Sequence, residues 1–356
     1  MKLPGKCGRI WNKTISVVER SITVREKKPT VRDIAKLTGV SIATVSRYLN
    51  QEFGSMSHAT RMRIQEAIEQ TGYVYNKSRT KGTVAALLPN VADPFFAMMV
   101  ERLAAGLDSV GYGLQLYLSQ DSIEQEKRIA RSLASSNVVG ILYMSTITSE
   151  ENCIDLLLAS GKPFVMMDSY LSEYNAPALV FSNGALGMYE TTNYLLAQGH
   201  EKIAYLSGLK LGAFEHYRYQ GYVNALLDAG LAVDPELTRF IGFTIEDGIR
   251  GLTELLDRGA QFTAVICESD QIAAGVYQVC RRRGISIPED LSVVGVNNTM
   301  IAALLEPPLT SMDQQVELQV ETIVQLLQKQ IRGEVNSTRV CKIKPELVLR
   351  ESVCKR

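Results

Sequence analysis

Arg47 is the side chain with the most specific chemistry near the front of this 356-residue chain. It lies in the run Ser41-Ile42-Ala43-Thr44-Val45-Ser46-Arg47-Tyr48-Leu49-Asn50. A guanidinium can grip a guanine edge with two parallel hydrogen bonds, which no neighbour in the run can do. Thr30, Ser41, Thr44, Ser46 and Asn50 carry short hydroxyl or amide groups suited to phosphates and sugars. Ile42 and Ala43 offer only apolar contact, for which a thymine methyl is the natural partner.

Two short helices must position these groups. Val31, Ile34, Ala35 and Leu37 predict a first helix that hides one apolar stripe. Gly39 can adopt the positive φ of a tight turn, and Ser41 has the hydroxyl of an N-cap. Val45 and Leu49 then give a second helix its buried pair, leaving Ile42, Ala43, Thr44, Ser46, Arg47 and Asn50 on the outer face. An ordinary amphipathic helix pair would need neither the turn glycine nor the Thr44-Val45-Ser46-Arg47 run. Met56, Ile64, Ala67 and Ile68 predict a third helix over about residues 57–70, ended by Gly72.

This segment resembles the headpiece of the LacI/GalR family of bacterial transcription regulators. The resemblance implies a helix-turn-helix that reads duplex DNA, with Ser57 and Thr60 touching phosphate at the start of the third helix. Residues 29–76 are therefore the expected DNA-binding domain. Residues 1–28 match nothing in the family. They are expected to be a disordered basic arm or the product of a start codon placed too early, and the second reading is favoured. Family members continue with Tyr-x-Pro-Asn and a hinge whose leucine wedges between base steps. Here Tyr73-Val74-Tyr75-Asn76 lacks the proline, and residues 77–83 form a linker about six residues short of the family's pattern. Lys77-Ser78-Arg79-Thr80-Lys81 has no apolar tip for a wedge, so a flexible basic tether is expected.

Charge divides the chain at the same place. Residues 1–81 hold 16 Lys/Arg and 6 Asp/Glu, whereas residues 82–356 hold 22 and 32, so +10 is balanced by −10. A basic front and an acidic rear suit a nucleic-acid module joined to a domain with another task. The six cysteines form no C-x-x-C pair and read as reduced thiols of a cytoplasmic protein. His58, His200 and His216 are too scattered for a metal site, and no cofactor is implied. No apolar run reaches the ~18–20 residues that span a membrane.

Beyond residue 82, apolar strands alternate with amphipathic helices. Strands are expected at 84–88, 113–117, 140–144, 164–167, 203–206, 264–267 and 292–296. Helices are expected near 96–110, 124–135, 151–159, 186–198, 219–229, 247–257 and 272–283. This spacing predicts an α/β fold with parallel sheets and right-handed crossovers. The resemblance adds two doubly wound lobes around a cleft, as in periplasmic sugar-binding proteins. The lobes are expected over about 84–182 plus 313–340, and 183–312 plus 341–356.

The resemblance also implies ligand groups. Phe95, in Asp93-Pro94-Phe95-Phe96, matches an aromatic that stacks on the effector, and Phe243 matches a second. Asp168 ends a strand where a family carboxylate often sits. Arg218 matches the arginine of Arg-x-x-Gly-(Tyr/Phe), and Asp270 matches the aspartate of Asn-Asp-x-x-Ala-x-Gly, where it could instead cap the helix. Ser182 and Asn297 stand where the family often shows aspartates. A less acidic pocket is therefore expected, one that would tolerate a sugar phosphate as well as a sugar. No leucine-heptad tail follows, so a homodimer on a near-palindromic operator is expected, and the function implied is that of an effector-controlled repressor. Enzyme signatures are lacking. Gly111-Tyr112-Gly113 precedes a strand rather than following one, there is no G-x-S-x-G elbow, and His200 sits in a helix-to-strand turn.

Overall fold

The computed structural model describes residues 29–49, 53–54, 56–73, 80–146, 153–167, 178–208, 217–334 and 339–356. The expectations for residues 1–28, Asn50, residues 74–79 and Asp168 fall outside them. The chain divides into two compact units, Met1–Arg79 and Thr80–Arg356.

The first unit is a three-helix bundle of α1 (Val31–Thr38), α2 (Ile42–Leu49) and α3 (His58–Thr71). Its core is Ile34, Ala35, Val45, Leu49, Ile64 and Ala67. Gly39 takes φ 68 at the turn and Gly72 takes φ 63 after α3, left-handed positions that glycine fills without a Cβ penalty. One expected core residue is misplaced: Leu37 is 57% exposed, and Thr38 is buried instead. At about 100° per residue, position 38 falls back onto the stripe of Val31 and Ile34, while position 37 does not. Thr38 satisfies its buried hydroxyl by donating to the Ile34 carbonyl, 2.7 Å away.

The second unit holds two six-stranded sheets. The first contains β1 (Thr83–Leu88), β2 (Gly113–Leu118), β3 (Gly140–Tyr143), β4 (Phe164–Met167), β5 (Ala178–Ser182) and β11 (Arg339–Ile343), in the order β11-β5-β4-β3-β1-β2. The second contains β6 (Ile203–Ser207), β7 (Thr238–Phe240), β8 (Ala264–Cys267), β9 (Ser292–Val296), β10 (Thr310–Asp313) and β12 (Glu346–Val348), in the order β12-β10-β9-β8-β6-β7. All pairings are parallel except that of β12 with β10. Helices cover both faces, so the strands are apolar on both sides. Val84, Ala86 and Leu88 enter one core while Ala85 and Leu87 enter the other.

The intervening helices are α4 (Pro94–Ser109), α5 (Ile123–Ser135), α6 (Ile154–Ala159), α7 (Gly184–Ala197), α8 (Tyr217–Asp228), α9 (Ile245–Asp257), α10 (Asp270–Arg283), α11 (Met300–Leu304) and α12 (Val316–Ile331). The chain passes between the sheets after β5, after β10, and between β11 and β12. The last passage lies beyond Ile343, whereas the boundary at 340–341 would have cut β11. That strand was not expected, because its outer residues are exposed and carry Arg339 and Lys342 in place of an apolar run. Helix α12 was also unforeseen, although Val316, Val320, Ile323, Val324 and Leu327 stand at helical spacing and fill the core of the first lobe.

Candidate functional site

In the first unit, each helix opens on a hydroxyl cap. Thr30 donates from its backbone N and its hydroxyl to Asp33 Oδ2, at 2.8 and 2.7 Å. Ser41 Oγ accepts from the Thr44 backbone N at 3.1 Å, and Ser57 Oγ accepts from the Thr60 N at 3.2 Å. The Ser41–Thr44 and Ser57–Thr60 hydroxyls are paired as well, at 2.8 and 2.9 Å. These pairs hold their polar atoms at helix N-termini, where backbone N–H groups and the helix dipole favour a phosphate. On α2, Val45 and Leu49 are buried while Ile42, Ala43 and Arg47 are exposed, with Thr44 and Ser46 between. The outer face is thus small, polar and cationic. Arg61, from α3, donates to the Met56 carbonyl and lies 4.8 Å above the Phe53 ring, fastening the chain before α3.

In the second unit, a cavity of about 530 Å³ opens between the carboxyl ends of the two sheets. Open parallel sheets bind ligands in this position. The first lobe contributes Asn90, Asp93, Phe95 and Phe96 after β1, Asp121 after β2, and Met144 to Thr146 after β3. The second contributes Arg218 from α8, Phe243 and Thr244 after β7, Glu268 and Gln271 after β8, Asn297 after β9 and Gln314 after β10.

Four expected ligand residues line this cavity: Phe95, Arg218, Phe243 and Asn297. Phe95 is only 5% exposed and belongs to the core of the first lobe, so its neighbour Phe96 offers the more open ring. Phe243 lies over Gly208, where an added Cβ would meet its ring at 2.2 Å. Arg218 is 9% exposed, and its aliphatic stem packs against Gly184. Asn297 takes φ 98 and accepts a 2.6 Å hydrogen bond from Gln314 through Oδ1. Gln314 itself is buried, and its Oε1 has no partner among the described residues.

Asp270 does not line the cavity. Its carboxylate is 1% exposed and turned into the second sheet, accepting from Ser311 Oγ at 2.6 Å and from Thr299 N and Oγ1 at 2.6 and 2.8 Å. Burial pushes its pKa up to about 6 against the pull of these donors. Nor does Asp270 cap α10, since Ser269 accepts from the Ile272 N. Ser182 is likewise buried away from the cavity.

Sequence reasoning missed Asp93, Asp121, Ser145, Thr146, Glu268, Gln271 and Gln314 as lining groups. Asp93 and Gln271 stood inside motifs already singled out, two residues before Phe95 and one after Asp270, and Glu268 lies two residues before Asp270. Asp121 follows Gln120 in two successive left-handed conformations, φ 53 and 56, which no composition signal marks. Of the two positions behind the expectation of a less acidic pocket, Asn297 lines the cavity and Ser182 does not, and the cavity carries acidic groups from other positions. Asp93, Asp121 and Glu268 set three carboxylates against the Arg218 guanidinium among the described lining residues. Burial raises the pKa of Asp93, partly offset by hydrogen bonds from the Phe95 N and Gln271. Glu268 is 2% exposed and accepts from Tyr205, Ser207 and the Gly208 N. His200 lies elsewhere: its Nε2 donates to the Cys354 carbonyl at 3.0 Å, and burial lowers its pKa.

Two family models match the chain: bacterial regulatory proteins of the lacI family over residues 30–76, and a periplasmic binding protein-like domain over residues 192–353. The transcriptional repressor CytR of Escherichia coli K12 is 30% identical over 335 residues, covering 92% of this chain and 97% of the relative. The regulator CelR of Thermobifida fusca is 32% identical over 340 residues, covering 92% and 99%. The chain belongs to the lacI family. The solved complex of CelR with cellobiose is similar to this lacI-family chain at a TM-score of 0.70 and 31% identity, covering 91% of this chain and 99% of CelR. The lac repressor dimer bound to operator shares the fold at a TM-score of 0.75 and 24% identity, covering 92% and 100%. This lacI-family chain is a DNA-binding transcription regulator of helix-turn-helix type, and its relatives are regulators rather than enzymes. Among the described residues no helix is long and apolar enough to cross a membrane.

Proposed function

We propose that the chain is a repressor whose affinity for a near-palindromic operator is set by a neutral sugar or sugar derivative held in the cleft. The observation that carries this reading is the cleft lining, in which Phe95, Phe96 and Phe243 stand among carboxylates, amides and a guanidinium. Sugar rings have an apolar face that stacks on aromatic rings and a polar edge that needs hydrogen-bonding groups of both kinds. Three carboxylates against one guanidinium disfavour the phosphate of a sugar phosphate, since like charges in a shielded cleft repel. One relative is a ribose operon repressor and another was solved with cellobiose, which makes both sugars reasonable first probes.

On DNA, Arg47, Ile42 and Ala43 would face base edges, while Thr30, Ser41, Thr44, Ser46, Asn50, Ser57 and Thr60 would hold phosphates and sugars. One headpiece presents too little area for tight binding, so a homodimer would place two on one site. The test is an electrophoretic shift of promoter fragments by the full chain, with and without cellobiose, ribose and their phosphates. A preferred fragment whose affinity changes with a neutral sugar supports the reading. Equal binding to every fragment, or a response to phosphorylated sugars alone, overturns it.

A further inference from the structure

Behind the cleft wall of the first lobe lies Glu126, a carboxylate on α5 that is 0% exposed and lines no part of the cavity. Its Oε1 accepts the proton of Ser145 Oγ at 2.6 Å, and its Oε2 accepts that of Tyr143 at 2.8 Å. The Cys153 thiol adds a third, weaker donor at 3.8 Å. Ser145, in contrast, lines the cleft. A hydroxyl has one hydrogen and two lone pairs, so a serine that gives its hydrogen to a carboxylate can only accept from a ligand.

We propose that Glu126 is a positioning residue that sets the hydrogen-bonding polarity of the cleft: by holding the Ser145 proton, it obliges the effector to present a hydroxyl or ammonium hydrogen at that point. The proposal rests on the effector reading above. Neighbouring groups are arranged in the same sense. Thr146 gives its proton to Asp121 Oδ1 at 2.5 Å, and both residues line the cleft. Gln314 adds a buried carbonyl that lacks a donor among the described residues. The second lobe repeats the pattern, with Tyr205 and Ser207, two residues apart like Tyr143 and Ser145, donating to Glu268. Donors come from the second lobe, in Arg218 and in the amide nitrogen of Asn297, whose oxygen already accepts from Gln314.

Replacing Glu126 by Gln reverses the polarity at this point without changing the shape. With Tyr143 still donating, it takes the new amide oxygen. The amide nitrogen then donates to Ser145 Oγ, whose hydrogen turns toward the ligand. The probes are cellobiose and ribose, each with counterparts in which one hydroxyl is replaced by fluorine, which cannot donate, or by an amine, which can. Calorimetric titration of the full chain reads the affinities.

At one ring position the fluoro counterpart should bind about tenfold more weakly than the parent, because a donor lost against a buried acceptor leaves it unsatisfied. The amino counterpart should retain affinity there. In Glu126→Gln, and in Ser145→Ala, the fluorine penalty at that position should shrink below about threefold. A packing role alone would weaken parent and fluoro sugars together. The native-protein comparison needs no variant to fold. If a parent sugar binds and every fluoro counterpart binds as well, or if the penalty is unchanged in the variants, the inference is overturned while the effector reading stands. If neither parent sugar binds, the sugar reading fails and the inference falls with it.

Discussion

Gln271, at the start of α10, donates a 3.1 Å hydrogen bond to Asp93 at the start of α4, joining the two lobes by side chains across the cleft. Asp93 Oδ1 is already committed to the Phe95 backbone N at 2.8 Å, so the amide is read by the other oxygen. Both residues line the cavity.

Gln271→Glu would set a second carboxylate against Asp93, whose pKa burial already raises. At neutral pH the two charges repel, and the lost hydrogen bond should lower stability by about 1–2 kcal/mol. At acid pH one carboxyl takes a proton and donates to the other, so the loss should diminish. Thermal melts of the native protein and the variant at pH 7.5 and pH 5 check this. A deficit of equal size at both pH values would show that the contact does not join the lobes in solution.

Asp270 predicts a second pH dependence, of defined sign. Its carboxyl stands at about 6 in the folded chain against 3.8 in the reference state, raised by burial. The folded protein therefore holds this proton more tightly than the unfolded chain. The contribution of Asp270 is most favourable below pH 4 and is lost as pH rises through about 6. The loss is on the order of 3 kcal/mol, reached near neutrality. Urea unfolding should show a pH slope between 4 and 6.5 that flattens in Asp270→Asn. An unchanged slope in that variant would place the titration elsewhere.

Much of this was legible because periodicity and spacing are local properties. Val45 with Leu49, the cap at Ser41, and seven of the strands between Val84 and Val296 follow from side-chain pattern over a few residues, while β5 and β7 were not marked by it. Strand β11 escaped because Arg339 and Lys342 break its apolar run, whereas the misplaced site and core residues share one cause: they depended on where a side chain turns. Leu37 reads as apolar and lies exposed, while Thr38 reads as polar and lies buried with its hydroxyl given to the helix. Asp270 and Gln271 are adjacent, yet a helix sets neighbours about 100° apart, so the first enters the sheet and the second enters the cleft. The motif points to the pair without choosing between its members. Asp121 and Ser145 reach the cavity from strand ends far apart in the chain that only the parallel registers with β1 bring together, and Gln314 reaches it from the other sheet.

For DNA reading, Arg47 is exposed on α2 while Val45 beside it is buried, so truncation should spare the bundle. Arg47→Ala should lower the operator-to-random affinity ratio by roughly 1–3 kcal/mol, the worth of a bidentate guanine contact. Weak, salt-sensitive binding through phosphates should persist. Competition titrations with operator and scrambled duplex at two salt concentrations would read both quantities. An unchanged ratio would remove Arg47 from base contact.

Gly221, three residues after Arg218 on α8, ties the effector site to helix packing. A Cβ there would lie 2.2 Å from the Ala185 carbonyl and 2.9 Å from the Tyr189 backbone N, so α8 touches α7 backbone to backbone. Backbone atoms of a packed helix cannot give way as a flexible side chain would. Gly221→Ala should therefore push the helices apart, at a cost of about 1–3 kcal/mol. The same shift moves Arg218, whose stem is fitted against Gly184 on α7, so affinity for any sugar that binds should fall with stability. Leu227→Ala, on the same helix but 56% exposed, should stay within about 0.5 kcal/mol and leave sugar binding unchanged. Urea unfolding and titration on both variants separate helix packing from helix composition, and a stable, fully binding Gly221→Ala would show that the two helices are not in contact at this point.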